Sequence, residues 1–120
     1  MAKKILIVDD SAFMRKIIKD MLLKGNYTNT VEAGSYKEAV AKFKSEQPEL
    51  VLLDLILPDK GGMEVLKEIR KTGKATKVII ISAIGQPQSL AEAKKLGVTE
   101  YIIKPFEEKK VLATIKLVLG

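Results

Sequence analysis

Residues with reactive side chains stand at the ends of four short apolar runs in this sequence. Asp9 and Asp10 follow the run ILIV, Asp54 follows LVLL, Ser82 follows VIII, and Lys104 follows YII. Each residue alone could simply mark the point where the chain emerges into water, because charged side chains are mostly exposed. If the runs are neighbouring strands, however, three carboxylates, one hydroxyl and one ammonium group meet at one place.

Three neighbouring carboxylates would repel one another, which raises their pKa values and costs stability unless cations compensate them. Lys104 supplies one positive charge, and a divalent ion with hard oxygen ligands can supply the remainder. The chain contains no His and no Cys, which are the ligands of softer metals. The sequence therefore predicts a Mg²⁺ site formed by the aspartates.

The same groups suit the transfer of a phosphoryl group. Mg²⁺, a lysine and a hydroxyl around one carboxylate can stabilise a transition state whose charge spreads over the equatorial phosphoryl oxygens. Asp54 is the best candidate nucleophile because it stands alone after the central run, whereas Asp9 and Asp10 are paired as metal ligands would be. We expect the Asp54 carboxylate to be nearly exposed.

The elements that would position these residues follow from the apolar pattern. The runs at 5–8, 50–53 and 78–81 lack alternation and are rich in β-branched residues, which is typical of strands buried on both faces. A run at 101–103 and a weaker one at 29–34 complete the set of strands. Segments of helical period lie between and after the runs. Helix caps and stops support these boundaries: Ser11, Ser35, Gly25, Gly73, Gly97 and Gly120.

Alternating strands and helices predict an α/β fold with a parallel sheet and helices on both faces, because crossovers are right-handed. The two weakest runs suit the sheet edges, which is compatible with the order 2-1-3-4-5 of the flavodoxin-like, doubly wound (βα)5 fold. Ligands bind beyond the carboxyl ends of the strands in such sheets, where the reactive residues stand. We expect a single domain over residues 1–120.

Composition excludes several classes of protein. Without Cys or His the chain has no disulfide, thiolate site, zinc cage or His-based triad. No apolar stretch approaches the roughly 20 residues that cross a bilayer, so we expect a cytoplasmic protein without membrane insertion. The net charge of +6 permits weak association with nucleic acid but does not require it. The basic run at 67–77 is interpreted as a solvated helix face.

The motifs ILIVDD, LVLLDLILPDKGG, VIIISA and YIIKPF together resemble the receiver domain of two-component response regulators. The resemblance covers essentially the whole chain. The segment DDSAFMRK is similar to the stand-alone, CheY-like chemotaxis regulators.

The resemblance implies that Asp54 accepts a phosphoryl group from the phosphohistidine of a sensor kinase. It implies that Asp10 and Asp54 bind Mg²⁺ directly, together with the backbone carbonyl of Ile56. Asp9 would contribute mainly through water. The chain would then be a signalling protein, not an enzyme, apart from self-directed phosphotransfer and self-dephosphorylation.

The resemblance also assigns roles near the last two strands. The Ser82 hydroxyl and the Ala83 amide would bind phosphoryl oxygens, and Lys104 would pair first with Asp54 and then with the phosphoryl group. Pro105 would follow a cis peptide bond. Tyr101 matches the switch aromatic of the family, which moves inward as the Ser82 hydroxyl approaches phosphate. From the residues alone, Tyr101 is equally well explained as an ordinary edge-strand aromatic.

Apolar residues stand two positions beyond Asp54 and two beyond Ser82, namely Ile56 and Ile84. Neither side chain can orient an attacking water molecule, and both can screen a phosphoryl group. We therefore expect slow self-dephosphorylation.

A chemotaxis regulator would receive its phosphoryl group from the chemotaxis kinase and bind a flagellar-motor component or an adaptor. We expect noncovalent output, a monomer or weak dimer, and no specific nucleic acid target, since no helix-turn-helix or other output domain follows the fifth βα unit. A phosphorelay intermediate, or the receiver of a longer transcriptional regulator, stays open.

Three other classes fit the sequence less well. Haloacid-dehalogenase-type phosphohydrolases place their nucleophile after the first strand in an Asp-x-Asp pattern, whereas the acids here are adjacent. A flavodoxin-like cofactor carrier needs a Ser/Thr/Gly-rich first loop, and DDSAFM would repel a flavin phosphate. A phosphate-blind receiver is disfavoured because every expected site residue is present.

Overall fold

The computed structural model describes residues 3–72 and 75–120, and these residues form five strands that alternate with five helices. Gly73, predicted as the stop after the third helix, and Lys74 of the basic run lie outside the described residues. The strands are β1 (Ile5–Val8), β2 (Thr30–Ala33), β3 (Leu50–Leu53), β4 (Lys77–Ser82) and β5 (Glu100–Ile103). The helices are α1 (Ala12–Lys24), α2 (Tyr36–Glu46), α3 (Gly62–Lys71), α4 (Pro87–Lys95) and α5 (Glu108–Leu119).

All neighbouring strands pair in parallel, in the order β2-β1-β3-β4-β5. The predicted flavodoxin-like (βα)5 topology is therefore confirmed. Every residue of β1 and β3 is buried, as their unbroken apolar runs indicated, whereas the edge strands β2 and β5 are partly exposed. The edge positions explain why these two runs are the weakest in the sequence.

The sheet carries a hydrophobic core on each face. One core combines alternate strand residues such as Leu6, Val51 and Ile80 with apolar residues of α2, α3 and α4. The other combines Ile7 and Leu52 with apolar residues of α1 and α5. No helix within residues 3–72 and 75–120 is both long enough and apolar enough to span a membrane.

The predicted helix starts are confirmed by capping geometry. Ser11 accepts a hydrogen bond from the Met14 amide, and Ser35 accepts one from the Glu38 amide, each at 3.1 Å. These caps fix where α1 and α2 leave the carboxyl edge of the sheet. The loop that carries Asp9 and Asp10 is therefore short and is held by the Ser11 cap at its helical end.

Candidate functional site

The carboxyl edge of the sheet brings together four of the predicted residues, because each follows or ends one of four parallel strands. Lys104 Nζ donates to Asp9 Oδ2 and to Asp54 Oδ2, both at 2.8 Å. The Ser82 hydroxyl donates to Asp54 Oδ1, also at 2.8 Å. Residues far apart in the sequence thus form one hydrogen-bonded cluster.

Asp54 lies at the centre of this cluster, in contact with both Ser82 and Lys104. Its Oδ1 also accepts a hydrogen bond from the Ile56 amide at 3.0 Å, so both carboxylate oxygens have partners. The expectation of a nearly exposed carboxylate is wrong, because Asp54 is only 5% exposed. The chain folds back over the strand end, where the Gly62 amide donates to the Leu55 carbonyl at 2.9 Å.

The two adjacent acids have different environments. Asp9 is 2% exposed, and its Oδ1 accepts a hydrogen bond from the Ser11 amide at 2.9 Å. Asp10 is exposed. Asp9 is therefore the acid that is bonded within the buried cluster, whereas the Asp10 carboxylate is open to solvent at the same edge of the sheet.

Burial and pairing act in opposite directions on the charges of the cluster. Burial raises the pKa of Asp9, and its bonds to Lys104 and the Ser11 amide offset this only in part. Burial also raises the pKa of Asp54, but bonds from the Ile56 amide, Lys104 and Ser82 outweigh it, so this pKa lies below its ordinary value. The pKa of Lys104 is raised because pairing with both carboxylates outweighs its burial. When both acids are ionised, one ammonium faces two carboxylates and one negative charge is uncompensated.

The donor atoms of the cluster suit a hard divalent cation, since they are carboxylate oxygens that carry an excess negative charge. Within the described part of the chain, no three acidic side chains converge tightly enough to form a metal cluster by themselves. A metal ion here would therefore also need oxygen ligands from the main chain or from water. Asp9, Asp10, Asp54 and the Ile56 carbonyl are the groups at this edge that could hold it.

A second hydrogen-bonded group adjoins Ser82. The Tyr101 hydroxyl donates to the Ile84 carbonyl at 2.5 Å, and the Ile84 amide lies 3.4 Å from Ser82 Oγ. Burial, followed by the charge of Asp54, raises the pKa of Tyr101. Ala83, between Ser82 and Ile84, is exposed. The loop after β4 thus connects the Ser82 hydroxyl to the Tyr101 ring.

The peptide bond between Lys104 and Pro105 is cis. Lys104 is the residue through which β5 takes part in the cluster, and its amide donates to the Ser82 carbonyl at 2.8 Å.

Sequence reasoning missed Arg15, which contacts the site through its guanidinium group. Arg15 Nη1 donates to the Asp9 main-chain carbonyl at 2.5 Å, and Nε pairs with Glu32 on β2 at 2.9 Å. Gly34 leaves room for this group, because a Cβ there would lie 3.1 Å from Arg15 Nη1. The sequence signal for this contact was a basic residue near the start of α1, the helix that follows Asp9 and Asp10.

Sequence reasoning also missed Asp59, which was noted only as one residue of the motif LVLLDLILPDKGG. Its carboxylate accepts hydrogen bonds from the Tyr36 and Lys37 amides at the start of α2, at 2.8 and 3.1 Å. No local pattern predicts this contact, since its partners lie more than 20 residues away in the sequence.

Comparison with known proteins identifies the class of fold and site. The response regulator receiver domain family matches residues 5–116. The chain belongs to the response regulator receiver family, a family of signalling proteins. This membership argues against two alternative functions, namely a haloacid-dehalogenase-type phosphohydrolase and a flavodoxin-like cofactor carrier.

Within the family, the chain is similar to the chemotaxis protein CheY of Bacillus subtilis (strain 168), with 40% identity over 120 residues that cover both chains completely. A CheY-like receiver domain protein from Methanospirillum hungatei has a TM-score of 0.94 at 30% identity, covering 99% of this chain and 94% of the other. The CheX-CheY-BeF3-Mg²⁺ complex from Borrelia burgdorferi contains a chain with a TM-score of 0.91 at 31% identity, covering 98% and 90%.

Proposed function

We propose that the protein is a response regulator in which Asp54 accepts a phosphoryl group in a Mg²⁺-dependent reaction. One observation carries the proposal: Lys104 contacts Asp54 Oδ2 and Asp9 Oδ2, while Ser82 contacts the other oxygen of Asp54. A carboxylate held between an ammonium, a hydroxyl and a second acid has the partners that a transferring phosphoryl group needs.

The proposed step is the transfer of a phosphoryl group from a phosphohistidine. An Asp54 carboxylate oxygen forms a bond to phosphorus as the phosphorus–nitrogen bond of the donor breaks, and the leaving imidazole takes a proton from solvent. The product is an acyl phosphate, and no oxidation or reduction occurs. Lys104 exchanges its contact with Asp54 for a phosphoryl oxygen, while the Ser82 hydroxyl and the Ala83 amide donate to others.

Mg²⁺, when bound, neutralises charge on the phosphoryl oxygens. We assign its direct ligands to Asp10, Asp54 and the Ile56 main-chain carbonyl, and a water-mediated contact to Asp9. The excess negative charge around Lys104 supports this assignment, and so does the lack of any nitrogen or sulfur ligand in the donor set.

Phosphorylation then changes the balance between two states of the region that contains Ser82 and Tyr101. A phosphoryl oxygen competes with Asp54 for the Ser82 hydroxyl, and movement of Ser82 disturbs the loop that Tyr101 contacts through Ile84. A partner that prefers one state completes the switch. The state described here has the Tyr101 hydroxyl bonded to the loop.

The phosphoryl group is lost slowly in this proposal. Ile56 is 50% exposed and Ile84 is partly buried, and both side chains are apolar. Neither can hold a water molecule in line with the phosphorus–oxygen bond, which removes one source of general base catalysis.

The similarity to CheY proteins supports a role in chemotaxis. We propose a chemotaxis histidine kinase as the phosphodonor and a flagellar-motor component or adaptor as the target, with both contacts made in the cytoplasm. The Borrelia relative is a CheY chain crystallised with CheX, BeF3 and Mg²⁺, which supports a protein partner for the phosphorylated form.

The chemistry can be tested with a small phosphodonor. Wild type and Asp54→Asn are incubated with acetyl phosphate, with and without Mg²⁺, and their intact masses are measured. The proposal predicts one phosphoryl adduct on the wild type with Mg²⁺ and none on the variant. An adduct that persists in Asp54→Asn would refute Asp54 as the acceptor.

A further inference from the structure

We propose that Asp59 is a positioning residue for the Mg²⁺ site, because it anchors the loop between β3 and α3 to the first turn of α2. The inference rests on the proposed function, since it concerns the metal that phosphorylation requires. Asp59 Oδ1 accepts from the Tyr36 amide at 2.8 Å, and Oδ2 accepts from the Lys37 amide at 3.1 Å. Because each carboxylate oxygen accepts one of these bonds, the two bonds together fix the orientation of the Asp59 side chain.

The loop is held at its base as well as at this anchor. The Gly62 amide donates to the Leu55 carbonyl, and a Cβ on Gly62 would lie only 2.1 Å from the Asp54 carbonyl oxygen. The chain therefore doubles back directly onto the end of β3. Ile56 lies in the chain between these two attachments, which together restrict the directions that its main-chain carbonyl can take.

A further contact strengthens the attachment at the Asp59 end of the loop. Lys60 Nζ lies 4.9 Å from the centre of the Tyr36 ring, over its face. Two successive residues of the loop thus contact the first turn of α2. The Ile56 side chain is half exposed, whereas its neighbours Leu55 and Leu57 pack into or against the core, so the Asp59 and Lys60 contacts act together with this packing.

Asp59 could instead serve only to stabilise α2, because a carboxylate at a helix N-terminus satisfies free amides and interacts well with the helix dipole. The chain offers a matched control for that role. Ser35 caps the same helix by accepting from the Glu38 amide, but it does not belong to the loop. Loss of either residue weakens the start of α2, whereas only loss of Asp59 releases the loop.

The test is a calorimetric titration of MgCl2 into wild type, Asp59→Ala, Asp59→Asn and Ser35→Ala, in about 0.15 M salt to screen distant charges. We expect Asp59→Ala to weaken Mg²⁺ binding about tenfold, as loss of an outer partner of a metal ligand does. Asp59→Asn keeps the side-chain size and one acceptor oxygen, so its affinity should be intermediate. Ser35→Ala should bind Mg²⁺ like the wild type although its melting temperature falls.

A second control separates geometry from charge. Glu64→Gln removes one negative charge from the first turn of α3, where Glu64 pairs with Lys67, and leaves α2 untouched. Equal weakening by this variant and by Asp59→Ala would overturn the inference, and so would equal weakening by Ser35→Ala. Wild-type affinity in both Asp59 variants would overturn it and leave the proposed function standing. No Mg²⁺ binding by the wild type would refute the proposed function and the inference together.

Discussion

Lys104 is the only cation in direct contact with the two buried carboxylates among the described residues, so its removal should be costly. Each of its two contacts is 2.8 Å long, which corresponds to about 6 kcal/mol at an effective dielectric constant of 20, before desolvation is subtracted. Removing one partner of a buried ion pair costs about 3–5 kcal/mol. The Lys104 side chain retains 18% of its exposure, so we expect Lys104→Met to lose about 3 kcal/mol at pH 8.

The loss should depend on pH in a defined direction. Without Lys104, Asp9 and Asp54 repel each other, and the pKa of at least one rises above its value in the unfolded chain, about 3.9. A carboxyl with a raised folded-state pKa contributes stability below pH 4 that is lost as the pH rises through the folded pKa. The difference between wild type and variant should therefore shrink as the pH falls from 8 towards 4.

Urea denaturation followed by far-ultraviolet circular dichroism measures this difference, since the chain has no Trp. Lys24→Met is the matched control: Lys24 pairs with Glu108 at 3.3 Å, but its side chain is 70% exposed. It should lose less than about 1 kcal/mol, because exposed ion pairs contribute little. A loss of less than about 1 kcal/mol in Lys104→Met at pH 8, or an equal loss at pH 8 and 4.5, would refute the reasoning.

Three further predictions follow from the loop after β3. Gly62→Ala should lower the free energy of unfolding by about 3 kcal/mol in urea denaturation, because its Cβ would collide with the Asp54 carbonyl oxygen. Gly61→Ala should cost less than about 0.5 kcal/mol, because a Cβ there would lie 3.5 Å from the Leu55 carbonyl oxygen. Equal costs for the two variants would contradict this. Ile56→Asn should speed loss of the phosphoryl group about tenfold in a mass-spectrometric time course, and an unchanged rate would count against screening by Ile56. Hydrogen bonds from α2 amides lower the pKa of Asp59, so its contribution to stability is present above pH 4 and lost as the pH falls through that lowered pKa. The gap in melting temperature between wild type and Asp59→Asn should therefore stay constant from pH 7 to about pH 5 and narrow as the pH falls below about 4. A gap that stays constant below pH 4 would exclude this origin.

The fold was predictable because the burial of a strand determines which of its positions must be apolar. The strands β1 and β3 are apolar at every position, as strands covered on both faces must be, and the weaker runs became the edges β2 and β5. Since parallel strands share one carboxyl edge, the meeting of Asp9, Asp54, Ser82 and Lys104 followed from topology alone.

The finer features of the site depend on contacts between distant segments, which produce no recognisable local pattern in the sequence. The residue types alone do not distinguish Asp9 from Asp10, and only the path of the chain after β1 decides that the Asp9 side chain is the buried one. The burial of Asp54 depends on how the following loop folds back. Asp59 in that loop accepts hydrogen bonds from main-chain amides of α2, which lies far away in the sequence. Periodicity reports the faces of an element but not contacts between separate loops.

The most direct test of the account locates the phosphoryl group on the chain. Wild-type protein is phosphorylated with acetyl phosphate and Mg²⁺, and the acyl phosphate is reduced with borohydride, which converts a phosphorylated aspartate into homoserine. Tandem mass spectrometry of the peptides then identifies the converted position. The account predicts homoserine at position 54 alone, whereas conversion at Asp9 or Asp10, or no conversion, would contradict it.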